Sequence, residues 1–204
     1  MPASLTHLLV GWEYQKKYPV KKVEQFYLGC VAPDCVNVGG FASKEVRMKA
    51  HLRDWDLEKW KQNAKVFYQR QTGNVEESYL LGYILHIFTD IMWDECFEQR
   101  LKEGLASLGL HKEEVEQQRW SEHYRFEYTQ MEEDWWKEVV EALKRATPVP
   151  INNLPVAQIA GERDETIRME LKPEDRRAPL VIRREWMDQL AIDAAEEMGR
   201  WLAV

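Results

Sequence analysis

The residues that could do chemistry are five histidines and a few acids placed where apolar core is expected. Between Tyr79 and Trp93 the chain reads YLLGYILHIFTDIMW, apolar nearly all round, with His86, Thr89 and Asp90 as its polar interruptions. His86 and Asp90 stand at i and i+4, which stacks them on one face of a helix, and Asp94 follows one turn later. A carboxylate buried there without a partner costs several kcal/mol. Two arrangements remove that cost. Either Asp90 accepts a hydrogen bond from His86 or caps a neighbouring element, or both side chains ligate a cation.

The other histidines bear on that choice. His7 lies in THLLVGW, His51 in KAHLRDWD, and His111 ahead of a charged stretch. His123 is followed at i+4 by Glu127, repeating the spacing of His86 and Asp90. Asp34 sits in the turn GCVAPDCVN. Imidazole nitrogen with carboxylate oxygen is a zinc donor set where thiolates are absent, and manganese or iron accept the same donors. His7, Asp34, His51, His86 and Asp90 would suffice for one or two ions if the elements carrying them converge. If they do not, these are polar side chains satisfied inside an ordinary core.

Apolar residues recur at three- and four-residue steps over most of the chain, so the elements that must position these side chains are helices. The pattern predicts helices over 4–18, stopped near Pro19, and 21–31, ended by Pro33. A loop at Gly39-Gly40 precedes a third helix over 54–71, stopped at Gly73. Asn74 and Glu77 form a capping-box-like pair before a fourth helix that runs from about 76 to at least 98. Gly104 and Gly109 loosen the segment after it. A long charged helix is expected over 112–146 and a last one over 183–202. Five of the eight prolines fall within 147–182, which predicts a non-helical excursion with room for a short strand pair.

Composition narrows the function classes. With 45% hydrophobic and 31% charged residues in 204, the chain is too apolar for a disordered one and sized for one helical domain. A net charge of −7 argues against a general grip on nucleic acid, which needs clustered cations, though not against metal-mediated phosphate chemistry. No apolar run is long enough to span a membrane. The start, MPASLTHLLVGWEYQKKYP, has no basic stretch before its apolar residues, so the expectation is an unprocessed, cytoplasmic protein. Cys30, Cys35 and Cys96 lack Cys-x-x-Cys spacing and read as small hydrophobes in or near the core. Of the nine tryptophans, adjacent Trp135 and Trp136 point in different directions on a helix, which would expose one of them.

In order along the chain, THLL, YLGCVAPD, KAHLRDW and YLLGYILHIFTDIMWDE resemble the bacterial zinc-dependent phospholipase C family, and within it the non-secreted, phospholipase C-like branch. The resemblance covers roughly residues 1–145, and the last helix fits it too. It implies an all-α, single-domain multi-helix bundle of the phospholipase C and single-strand nuclease type, holding up to three zinc ions. Carried onto this sequence, Asp34, His51, His86 and Asp90 would hold a central zinc. His7 would serve a neighbouring ion that Asp90 bridges. His123 and Glu127 would serve another, with His111 or Asp94 standing for a further ligand and Glu132 as an extra acid. Asp34 and Asp90 would be the catalytic carboxylates. Arg53, beside His51, would pair with a phosphate oxygen, or else be a surface arginine in a charged run. In secreted members a free N-terminal Trp, exposed by processing, helps bind one ion; Met1-Pro2 does not reproduce it.

The function expected from the residues and the resemblance together is metal-dependent hydrolysis of a small soluble phosphodiester or phosphomonoester by metal-activated water, with one to three ions. No nucleic-acid partner and no stable membrane anchoring are expected. The alternative is a metal-stabilised binding or structural helical protein without turnover.

Overall fold

The computed structural model describes residues 2–169 and 177–202. Its architecture is an all-α single domain, and among the described residues pairing of the β type is limited to isolated bridges, Thr72 with Val75 and Ile151 with Leu154. The helices are α1 (Ser4–Lys17), α2 (Val23–Val31), α3 (Lys44–Ala50), α4 (Leu57–Gln71), α5 (Glu77–Met92), α6 (Glu98–Ser107), α7 (Lys112–Gln130), α8 (Asp134–Arg145), α9 (Val156–Ile167) and α10 (Arg184–Leu202). A 3-10 segment, Ala32–Asn37, continues α2, and a π-helical turn, Trp93–Phe97, joins α5 to α6. No helix among the described residues is long and apolar enough to cross a membrane.

Helix α5 is the centre, as its all-round apolar sequence requires, with every residue from Tyr79 to Met92 buried except Leu81. Helix α2 packs most extensively against it, with α10, α4 and α1 around the same axis. The α2–α5 crossing is a backbone contact. A Cβ placed on Gly82 would lie 2.0 Å from the Phe26 carbonyl oxygen, and one on Gly29 would lie 2.2 Å from the Tyr79 carbonyl oxygen. Only glycine permits this approach.

Several expectations need correction. The helix predicted over 112–146 is two, broken at residues 131–133. Continuing the buried row of α7 from Phe126 and Gln130 would turn Glu133, Asp134, Lys137 and Glu141 inward, and all four are exposed. The apolar stripe changes phase to Trp135, Trp136, Val139, Ala142 and Leu143, so the axis must turn. Both Trp135 and Trp136 are buried, one beside α1 through Trp12 and both against each other, where exposure of one was expected.

The proline-rich stretch 147–182 is not helix-free. Helix α9 occupies Val156–Ile167, entered from Pro155 at its N-cap and containing no proline. Proline there costs nothing, since the first backbone N–H groups have no intrahelical partner. The expected strand pair reduces to the single Ile151–Leu154 bridge, and residues 170–176 of the stretch lie outside the described residues. The short helix α3, which carries His51 at its C-terminal end, is absent from the sequence expectation. Gly104 lies inside α6, where a Cβ would meet Val181 at 2.4 Å, rather than loosening the chain.

Candidate metal centre

Four elements deliver the five central side chains. His7 comes from α1, Asp34 from the 3-10 segment, His51 from the end of α3, and His86 with Asp90 from α5. Asp90 has no solvent exposure, and the three histidines are each 1% exposed. The Nε2 atoms of His7, His86 and His51 lie 3.6, 3.7 and 3.8 Å from the Asp90 carboxylate oxygens. His51 Nε2 is 3.3 Å from Asp34 Oδ1. The His7 and His86 rings stack with centroids 3.6 Å apart.

Backbone carbonyls fix the orientation of two rings. His86 Nδ1 donates to the Cys30 carbonyl at 2.7 Å, and His51 Nδ1 donates to the Arg47 carbonyl at 2.9 Å. A carbonyl only accepts, so in the neutral imidazole the proton is on Nδ1 and the lone pair is on Nε2. Both lone pairs therefore face the carboxylates. The α2–α5 glycine crossing serves this arrangement directly, because it brings the Cys30 carbonyl within reach of His86.

The cluster is only partly satisfied by hydrogen bonds. Both Asp90 oxygens, His86 Nε2 and His7 Nδ1 are buried without hydrogen-bond partners. Burial dominates the titration behaviour of these groups. Burial pushes the Asp90 carboxyl up to about 7, with the His51 charge pulling it partly back. Burial and the neighbouring imidazoles hold His7 and His86 well below the usual imidazole value. Burial alone would lower His51 too, but the bond and charge of Asp34, with the charge of Asp90, outweigh it and raise it. Burial raises Asp34 in turn, and the bond from His51 with the His86 and His51 charges brings it below its ordinary value. One proton on His51 can satisfy Asp34 and leaves Asp90 unmet.

Two groups of three donors are close enough together that each could hold a cation. The donor atoms of His7, Asp34 and His86, and those of His51, His86 and Asp90, each lie within 4.8 Å of one another. Tetrahedral ligands at ~2.1 Å from an ion are ~3.4 Å apart, close to the separations found here. The carbonyl bonds to Nδ1 are the outer contacts that usually orient metal-ligating histidines.

The remaining candidates divide. His123 is buried with Nε2 unpartnered, against the Trp93 ring at 4.7 Å, and burial lowers it to about 3. Glu127 is buried with Oε1 accepting from the Thr6 backbone N–H at 3.0 Å and the Thr6 hydroxyl at 3.2 Å. Its Oε2 has no partner, and burial pushes it up to about 7. Glu127 thus caps the start of α1 while keeping one free oxygen. Among the described residues, neither His123 nor Glu127 falls in a compact group of three donors. The structure does not bring His111 or Glu132 to the centre. His111 is exposed at the start of α7, where its N–H donates to Glu114, and Glu132 is exposed in the α7–α8 turn. Asp94 accepts from Arg53.

Asp34 and Glu127 open onto a cleft of about 240 Å³ that Ser4, Arg47, Tyr124 and Glu162 also line. Arg53 is not there. It lies across α3, over the Trp60 ring at 4.7 Å, on a larger open cleft of about 880 Å³ with Lys44, Lys49 and Arg70. That larger cleft is lined by none of the candidate ligands.

Two cleft residues escape a reading of the sequence alone. Glu162 on α9 accepts from the Ser4 hydroxyl at 3.0 Å, and burial with the Asp34 charge raises it to about 8. Its signal is the buried row Ile159, Glu162, Thr166 at helical spacing, hidden by the prolines around it. Arg47, one turn before His51, shares the face of α3 that bears His51.

Comparison of the chain with family models, with curated proteins and with solved structures finds no match to any of them.

Proposed function

We propose that the protein is a zinc-dependent hydrolase of phosphoesters, with His7, Asp34, His51, His86 and Asp90 as the residues that hold the metal. The observation that carries this reading is the Asp90 carboxylate, fully buried, unpartnered at both oxygens and faced by three imidazole nitrogens at 3.6–3.8 Å. A structural ion pair would have closed to hydrogen-bond distance. The sequence resemblance to the zinc-dependent phospholipase C family supports the same reading and the choice of zinc over manganese or iron.

When bound, zinc polarises a phosphoryl oxygen and brings the pKa of a coordinated water near neutrality. The rest falls to this chain's own groups. Asp90 and the two carbonyl-anchored imidazoles would hold the ion, with their own orientation set by the protein. Asp34 is part-exposed and lines the cleft, so its carboxylate can orient the attacking water and take its proton. Water oxygen bonds to phosphorus, the ester P–O bond breaks, and the leaving oxygen takes a proton. The cleft is small, which fits a compact soluble phosphomonoester or phosphodiester better than a two-chain lipid.

The test is turnover of a panel of phosphomonoesters and phosphodiesters by the full chain. Hydrolysis that chelator abolishes, zinc restores and Asp90→Asn lacks is the expected result. Bound zinc with no hydrolysis of any ester favours the second reading, a metal-stabilised binding protein. A metal-free, inactive chain overturns both.

A further inference from the structure

We propose that Arg47 is the substrate-recognition residue of this site and that it selects a phosphomonoester dianion over a phosphodiester. The inference rests on the phosphoester reading above and adds the substrate class.

Arg47 is tied to the centre twice. Its carbonyl holds His51 Nδ1 at 2.9 Å, and its side chain, at i−4 from His51, lines the cleft that Asp34 and Glu127 open onto. Among the described residues it is the only lysine or arginine lining that cleft, beside Asp34, Glu127, Glu162 and Glu165. Yet among the described residues it makes no ion pair with any of these acids. Its Nε is buried without a hydrogen-bond partner, and its guanidinium sits 5.8 Å from the Phe41 ring. A cation kept free in an acidic cleft, with a buried donor unspent, is set for an anion that enters from outside. Arg53, the other arginine near His51, is engaged with Asp94 and with the Trp60 ring.

The guanidinium fork matches two oxygens of a phosphate. A diester has two non-bridging oxygens and one negative charge. A monoester has three such oxygens and close to two charges at neutral pH. The monoester therefore offers Arg47 a further terminal oxygen and a second charge that the diester lacks.

The test uses the zinc-loaded full chain and two probes, inorganic phosphate and dimethyl phosphate, with binding measured by calorimetry and zinc by elemental analysis. In Arg47→Gln, phosphate binding weakens roughly 10- to 100-fold, as loss of charge-assisted hydrogen bonds implies. Dimethyl phosphate changes less than about threefold and zinc content is unchanged. Arg47→Lys, which keeps the charge without the fork, recovers part of the loss. Equal phosphate affinity in wild type and Arg47→Gln, with zinc retained, overturns the proposal and leaves the phosphoester reading standing. An equal loss for both probes shows recognition of a single charge and refutes the monoester selection. A wild-type chain that takes up no zinc defeats the phosphoester reading, and this inference with it.

Discussion

Replacing Asp90 by Asn should make the metal-free protein more stable, the opposite of what removing a structural polar contact does. Burial raises the Asp90 carboxyl from 3.8 to about 7. A carboxyl with a raised folded-state pKa binds more protons folded than unfolded across that window. Its favourable contribution is complete below the unfolded value and is lost as pH rises towards 7. At pH 8 the ionised group therefore costs about 4 kcal/mol, roughly 3 pKa units at 1.36 kcal/mol each. A buried amide with poor partners costs about 1–3 kcal/mol instead. The net gain for Asp90→Asn is about 1–3 kcal/mol at pH 8 and near zero at pH 4, where the wild-type carboxyl is largely protonated. The assay is urea unfolding of both proteins in chelator at the two pH values. In zinc the order reverses, because wild type gains binding energy that the variant cannot. Destabilisation of Asp90→Asn in chelator at pH 8 would mean that Asp90 is satisfied by protein partners and would refute the reasoning.

Two further outcomes concern the frame. Gly82→Ala places a methyl 2.0 Å from the Phe26 carbonyl oxygen, so α2 and α5 must separate by more than an ångström. Overpacking of this kind costs about 1–3 kcal/mol or more, and the variant should also bind zinc more weakly because the Cys30 carbonyl leaves His86; unchanged urea midpoint and zinc content would contradict that coupling. Glu122, buried on α7, accepts from the backbone N–H groups of Leu180, Val181 and Ile182. Glu122→Ala should cost about 2–4 kcal/mol and speed tryptic cutting near residues 177–184, whereas unaltered proteolysis would show that Val181 packing alone holds the segment.

The parts of the fold that the sequence announces are those whose apolar period runs unbroken. Helix α5 is the example, since its residues are apolar on every side and His86 with Asp90 stand out against them. His7, Asp34 and His51 could be singled out by type, but their meeting with α5 depends on a 3-10 turn and a seven-residue helix that periodicity does not mark. The α7–α8 break comes from a phase change in the buried row with no glycine or proline to flag it. Helix α9 is masked by prolines that flank it without entering it, and Glu162 is hidden with it. Arg53 draws attention by lying two residues from His51, yet it follows the end of α3, past Leu52 with its positive φ, and lines the other cleft. Arg47, a full turn earlier, shares the face. His111 has the right side chain for a ligand but heads a helix at the surface, which only the tertiary structure reveals.

The most direct measurement is elemental analysis of the protein purified without chelator or metal-affinity resin, beside His86→Ala. The account predicts about one zinc or more per chain in the wild type and its loss in the variant. His86 supplies a donor to both compact groups, so its loss breaks each of them. A metal-free wild type, with His86→Ala folding equally well, would contradict the account and leave the buried histidines and acids as polar core.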